Sequence, residues 1–170
     1  EFKRLHEKGT RMTVGWIIEN VGDGGIKAPE GGWSDDPYKA IDKYAKAIAD
    51  SVAKYNYDGI DIDYEPSFAS PFKAGNHCGD WPEQGGSWAK KRPIISCSMD
   101  SNKQYENFFF KKMREYLPQE KMMNINGSID WIDPKVTSLF DDFVFQSYNN
   151  TPGRWRSAAR SVMRANSKIT

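Results

Sequence analysis

Residues 55–66 read Tyr-Asn-Tyr-Asp-Gly-Ile-Asp-Ile-Asp-Tyr-Glu-Pro, and they hold four acids: Asp58, Asp61, Asp63 and Glu65. Three of these alternate with Ile60, Ile62 and Tyr64. Alternate residues of a strand point to opposite faces. Asp61, Asp63 and Glu65 therefore line one face, at steps of about 7 Å. A carboxylate row backed by buried isoleucines is costly unless each charge has a partner, a proton or a task. One reading is a solvated or ion-paired strand end. Another is a divalent metal site, because carboxylates are hard oxygen ligands. However, the run lacks the glycine turn and polar neighbours of a calcium loop. No histidine follows at ligand spacing, so no metal site is assigned. A third reading is acid–base chemistry. Crowded carboxylates cannot all ionise easily, so one keeps a proton near neutral pH and can act as a general acid. Cleavage of a glycosidic bond needs such an acid to protonate the leaving oxygen. Glu65 stands last on the strand, before Pro66, where α/β barrels place catalytic groups. Asp58 is out of register with the other three and reads as structural.

A second polar group closes the stretch Asp-Phe-Val-Phe-Gln-Ser-Tyr-Asn-Asn, residues 142–150. By alternation Val144, Gln146 and Tyr148 share one face, and Phe143 and Phe145 the other. Gln146 and Tyr148 can both donate a hydrogen bond to a carbonyl oxygen. A buried strand with a polar end is the plainer alternative. Asn124 and Asn126 share a face of a third stretch and are candidate substrate contacts, although asparagine at a strand end often only forms a turn. Trp81 and Trp88 lie in a loop-like segment, with Phe68 and Phe72 before them. Indole faces stack on the apolar faces of sugar rings, so these tryptophans are candidate glycan subsites or loop anchors.

The elements that must position these groups follow from periodicity. Residues 1–8 read as a helix end stopped by Gly9, and residues 11–18 as a short buried strand. A glycine-rich loop runs from Glu19 to Trp33. Pro37 follows Ser34, Asp35 and Asp36 as a first-turn residue, and helical spacing continues to about Tyr55. The acidic strand starts at Gly59. A long Gly-, Pro- and Trp-bearing segment leads to a second amphipathic helix over 101–117, with Tyr105, Phe108, Phe109, Met113, Tyr116 and Leu117 as its apolar side and Pro118 as its stop. Residues 121–126 are a third strand, 134–140 a short helix, 142–149 a fourth strand and 153–165 a last helix. Strand and helix alternate throughout, the pattern of a parallel α/β sheet.

The chain has 170 residues, enough for one domain with its own core, and 1–170 is read as a single domain. Its 24 basic and 23 acidic side chains nearly balance, which argues against a nucleic-acid binder held by a basic face. No apolar run reaches the length of a membrane span. Cys78 and Cys97 are too few for a disulfide framework or a cysteine zinc site, though they could pair across their loop.

The run Asp-Gly-Ile-Asp-Ile-Asp-Tyr-Glu, Asp58 to Glu65, resembles the Asp-x-x-Asp-x-Asp-x-Glu signature of glycoside hydrolase family 18, and all four acids are present. The resemblance implies a TIM (β/α)8 barrel, of which this chain would supply about strands 3–6 as a partial barrel. It implies substrate-assisted, retaining hydrolysis of β-1,4 bonds next to N-acetylglucosamine, with no cofactor. Glu65 would be the general acid/base. Asp63 would orient the substrate's N-acetyl group, whose carbonyl oxygen attacks the anomeric carbon, and Asp61 would exchange a proton or hydrogen bond with Asp63. Tyr148 and Gln146 would hold the acetamide. The Gln146-Ser147-Tyr148 pattern is similar to the endo-β-N-acetylglucosaminidase branch, which cuts the chitobiose core of N-linked glycans. The chitinase branch usually has Met-x-Tyr-Asp there. A chitinase and a non-catalytic glycan-binding protein on the same fold are the alternatives. The family's Ser-x-Gly-Gly on the third barrel strand is poorly matched by residues 13–25. The implied partner is a glycan or glycoprotein, and the substrate class implies a secreted, periplasmic or cell-surface protein.

Overall fold

A computed structural model describes residues 2–17, 36–64, 99–127, 132–146 and 151–165. Its elements are α1 (Phe2–Glu7), β1 (Thr13–Ile17), α2 (Pro37–Lys54), β2 (Gly59–Tyr64), α3 (Met99–Tyr116), β3 (Met122–Gly127), a 3-10 helix (Pro134–Leu139), β4 (Asp142–Phe145) and α4 (Pro152–Ala165). The four strands form one parallel sheet in the order β1-β2-β3-β4. Each strand therefore pairs with its neighbour in sequence, and the chain returns between them, as in a winding barrel wall. No helix among the described residues is long and apolar enough to cross a membrane.

Local chemistry explains where the helices begin. The Asp36 carboxylate accepts from the Lys39 backbone N–H at 3.0 Å and Pro37 opens the first turn, so two of the otherwise unsatisfied positions at the start of α2 are provided for. Ile41, Ala45, Ile48, Ala49 and Val52 then recur at helical spacing and are buried. Asp133 caps the 3-10 helix in the same way, accepting from the Lys135 N–H at 3.0 Å.

The core lies on one side of the sheet. Ile60, Ile62 and Tyr64 of β2, and Met123 and Ile125 of β3, are buried against α2 and α3. A run of rings crosses this layer: Tyr64 meets Phe110 at 5.8 Å, Phe110 meets Phe140 at 5.0 Å, and Phe140 meets Phe143 at 5.4 Å between centroids. The buried stripe of α3 is Glu106, Phe109, Phe110 and Met113, and Leu117 continues it just past the helix end. It is rotated from the apolar side expected from sequence: Tyr105, Phe108 and Tyr116 are only half-buried at its border, and Phe110 and Glu106 take the centre. Three adjacent phenylalanines, 108–110, let several helix faces look apolar, and packing on Tyr64 selects one of them.

Two glycines permit the close seams of the sheet. A Cβ on Gly59 would overlap the Met122 backbone, its register partner in β3. Gly127 ends β3 with φ +98°, and a Cβ there would overlap the Tyr64 carbonyl.

At the strand entry, the Asp58 carboxylate accepts from the Met12 N–H at 2.7 Å and from the His6 ring Nε2 at 2.8 Å. Its own backbone bonds to Met12 O and Met122 N, each at 2.8 Å. The Met12 N–H and the His6 ring lower the Asp58 carboxyl below the usual carboxylate value, against a smaller opposing effect of burial. This clamp of α1, β1 and β3 is the structural role expected of Asp58. The observed β1 and β4 are shorter than the expected 11–18 and 142–149, and Ile18 and residues 147–149 lie outside the described residues.

Candidate functional site

The site is built on the sheet face opposite the helices. Parallel register sets side chains of paired residues on the same face. Gly15, Asp61, Asn124 and Asp142 form one level, and Ile17, Asp63, Asn126 and Val144 the next. The burial pattern agrees: Asp61 and Asp63 are half-buried between the fully buried Ile60, Ile62 and Tyr64, and Asn124 and Asn126 are half-buried beside Met123 and Ile125. Period-2 alternation alone carries this division, because the apolar residues must face the helices.

Gln146 follows β4 and joins three strands. Its side-chain Nε2 donates to Asp63 Oδ1 at 2.9 Å and to Asn126 Oδ1 at 2.7 Å. Both amide hydrogens of Gln146 are thus engaged within the protein, which leaves its carbonyl Oε1 as the group it can offer to a ligand. This refines the expectation that Gln146 donates to an acetamide carbonyl: in this arrangement its donors hold Asp63 and Asn126. The Asp63 carboxyl is raised above the ordinary value. Burial is the main cause, the Gln146 hydrogen bond pulls the other way, and the neighbouring Asp61 charge raises it further.

One level below, Asp61 Oδ1 and Asn124 Oδ1 are buried without a hydrogen-bond partner. They belong to register neighbours on adjacent strands. An unmade hydrogen bond at a buried oxygen costs about 1–3 kcal/mol. Such a cost at the centre of a polar face is typical of sites that await a proton or a ligand. Gly15 adds to the opening, since nothing lies within 4 Å of where its Cβ would be.

Of the expected site residues, the structure brings Asp63, Asn126 and Gln146 into contact and sets Asp61 and Asn124 beneath them on the same face. Glu65, Tyr148, Trp81 and Trp88 lie outside the described residues, as do Cys78 and Cys97. Among the described residues no group of three or more His, Cys, Asp or Glu side chains could hold a metal ion. A cavity of about 900 Å³ borders Pro134, Arg156, Ser157, Arg160, Ser161 and Arg164 on the helix side, and its lining includes none of these carboxylates.

Sequence reasoning missed Glu106. It is 2% exposed, and it receives the Tyr64 hydroxyl on Oε2 and Lys103 Nζ on Oε1 at 2.8 Å. The signal was present as one acid within an otherwise apolar helical stripe, 106-109-110-113-117.

The sequence matches no protein-family model and no curated protein. Solved structures are similar. The chain shares 25% identity with BT1044, a selenomethionine form carrying a Glu-to-Gln substitution, at a TM-score of 0.55 over 84% of this chain and 41% of that one. A GH18 chitinase from Pseudoalteromonas aurantia aligns at a TM-score of 0.57 and 15% identity, over 97% of this chain and 55% of the other. The chitinase domain of the spore coat protein CotE from Clostridium difficile aligns at 0.54 and 16% identity, over 96% and 48%. The chain therefore has an α/β fold of four parallel strands alternating with helices, TIM-barrel-like in part. It spans about half the length of these two chitinase structures.

Proposed function

We propose that this chain carries the acid face of a retaining glycoside hydrolase that cleaves next to N-acetylglucosamine, and that its substrate is the chitobiose core of N-linked glycans. The observation that supports it best is the Asp63–Gln146–Asn126 cluster, whose Asp63 is two residues before Glu65 in sequence. Gln146 occupies Asp63 Oδ1 and so leaves the second carboxylate oxygen for the N–H of a 2-acetamido group. The acetamide oxygen then attacks the anomeric carbon. Glu65 gives its proton to the leaving oxygen as the glycosidic bond breaks. A cyclic oxazolinium ion forms, and ionised Asp63 stabilises its positive charge. Water, deprotonated by Glu65, opens the ring from the face the leaving group left, so configuration is retained. With the Gln146 hydrogens engaged, donation to the acetamide oxygen falls to Tyr148. Asn124 and Asn126 contact the sugar, and Trp81 and Trp88 stack on flanking rings.

The acid row, with Glu65 intact in sequence, favours an enzyme over a binding protein. Gln146 followed by Tyr148 favours the glycoprotein substrate over chitin. In this reading residues 1–170 belong to one catalytic domain, and the substrate places the protein outside the cytoplasm. Incubation of the full-length protein with a high-mannose glycoprotein and, separately, with chitin oligomers tests the substrate. Release of the glycan with one N-acetylglucosamine left on the protein is the expected result, and turnover of chitin oligomers alone would reassign it as a chitinase. Glu65→Gln should lower kcat by a factor of about 10²–10⁴ while glycan affinity stays within a few fold. Unchanged turnover would remove Glu65 from its role.

A further inference from the structure

Behind the carboxylate face, on the helix side of β2, a second polar group is buried that the reaction above does not use. Tyr64 is 0% exposed and Glu106 is 2% exposed. The Tyr64 hydroxyl donates to Glu106 Oε2, and Lys103, one turn earlier on α3, donates to Oε1 at 2.8 Å. Among the described residues Glu106 is the one buried acid, in a layer otherwise made of Phe109, Phe110, Met113 and their neighbours. Burying a phenol and a carboxylate there is costly even when they are paired, and an apolar pair of similar volume is often as stable or more so. What the polar pair adds is direction. A ring in a greasy layer can slide or tilt, whereas a hydrogen-bonded hydroxyl is fixed at its far end.

The residue so fixed is the one between Asp63 and Glu65. Strand alternation sends Tyr64 toward α3 and Asp63 toward the open face, so a shift of the Tyr64 ring moves the backbone that carries both acids. The neighbouring residue on α3 reaches the other half of the site. Asn107 Nδ2 donates to Asp133 Oδ2 at 2.7 Å, and Asp133 caps the 3-10 helix that leads into β4 and Gln146. Two consecutive side chains of α3 thus tie down, from behind, the strand bearing Asp63 and the segment leading to Gln146. Their meeting point is the 2.9 Å bond from Gln146 to Asp63.

We propose that Glu106 is a positioning residue of the hydrolytic site: through the Tyr64 hydroxyl it sets the height of the end of β2, and with it the stance of Asp63. The inference rests on the glycosidase reading. The charged groups facing Glu106 are Lys103 on its own helix and Asp133 from the segment before the 3-10 helix, and Tyr64 is the titratable group facing it from β2.

The test uses the full-length protein with a chromogenic chitobioside and a high-mannose glycoprotein. It compares wild type, Tyr64→Phe, Glu106→Leu, Glu106→Gln and the double variant Tyr64→Phe/Glu106→Leu, and reads kcat, KM and thermal midpoint for each. Tyr64→Phe and Glu106→Leu should each lower kcat about tenfold, as small misplacements of catalytic groups do, with KM within twofold. The double variant should be no slower than either single one. Glu106→Gln, whose carbonyl still accepts the hydroxyl, should return to within threefold of wild type. Folded Tyr64→Phe protein with wild-type kcat, or losses that multiply in the double variant, would overturn the proposal. A purely structural pair would lower the melting point and leave kcat alone. Should Glu106→Leu fail to fold, Tyr64→Phe and Glu106→Gln decide the matter. Wild type without turnover on either substrate would sink the glycosidase reading and this inference together, whereas an active wild type with an indifferent Tyr64→Phe sinks the inference only.

Discussion

Asp63 feels opposed influences, to which the Asp61 charge adds on the upward side. Burial raises its carboxyl, and the Gln146 amide pulls it back toward the ordinary value. Removing the amide leaves the upward influence alone. In Gln146→Leu the Asp63 carboxyl should titrate higher still, so the acid limb of the kcat/KM profile should move to higher pH while the basic limb stays. A limb that does not move would separate Asp63 from the pH dependence. The same shift has a stability consequence. A carboxyl raised in the folded state favours folding below its unfolded value of 3.8 and loses that contribution as pH rises through the folded value. Asp63→Asn, which keeps an acceptor for Gln146, should therefore melt higher than wild type near neutral pH, with the gap closing as pH falls to about 3. At this scale much was legible from sequence: period-2 spacing put Asp61, Asp63, Asn124 and Asn126 on one face. It could not show that the Gln146 hydrogens turn inward, because that depends on which acceptors meet across three strands.

Among the elements, the strand entry and the helix α3 teach different lessons. Asp58 ties α1 and β1 to β2 through hydrogen bonds to Met12 and His6. Its carboxyl is lowered, so its contribution is present above the ordinary carboxylate value and is lost as pH falls through the folded one. Asp58→Ala should cost about 1–3 kcal/mol by urea denaturation at pH 7 and much less in acid. Gly59→Ala should cost toward the upper end of about 1–3 kcal/mol, because the new methyl meets the Met122 backbone rather than a movable side chain. The start of α2 was readable from Asp36-Pro37, since capping and proline act locally. The face of α3 was not. Its rotation answers to Tyr64 and Phe140, which lie 46 and 30 residues from Phe110 in the chain (110 − 64 and 140 − 110), and no local window contains them.

At the largest scale, one layer of rings joins β2, α3, Phe140 at the end of the 3-10 helix, and β4. Phe110 is its centre and is 0% exposed. Phe110→Ala should cost about 3–5 kcal/mol, seen as a lower urea midpoint, and should loosen Tyr64 with it. That the strands run parallel also followed from sequence, because strand and helix alternate along the chain, whereas their sequential order was an expectation of the family resemblance that the sheet bears out. Less legible was how unevenly the sheet is covered: Val144, on the carboxylate face, is 48% exposed, whereas its neighbours Phe143 and Phe145 pack on the core.

Gly127 bends out of β3 directly against the Tyr64 carbonyl. That carbonyl belongs to the peptide link shared with Glu65, so bulk introduced at 127 would press on the link itself. A randomised library at this codon, selected for turnover and counted by sequencing, should return glycine almost alone, and survivors with alanine or serine should fold yet hydrolyse slowly.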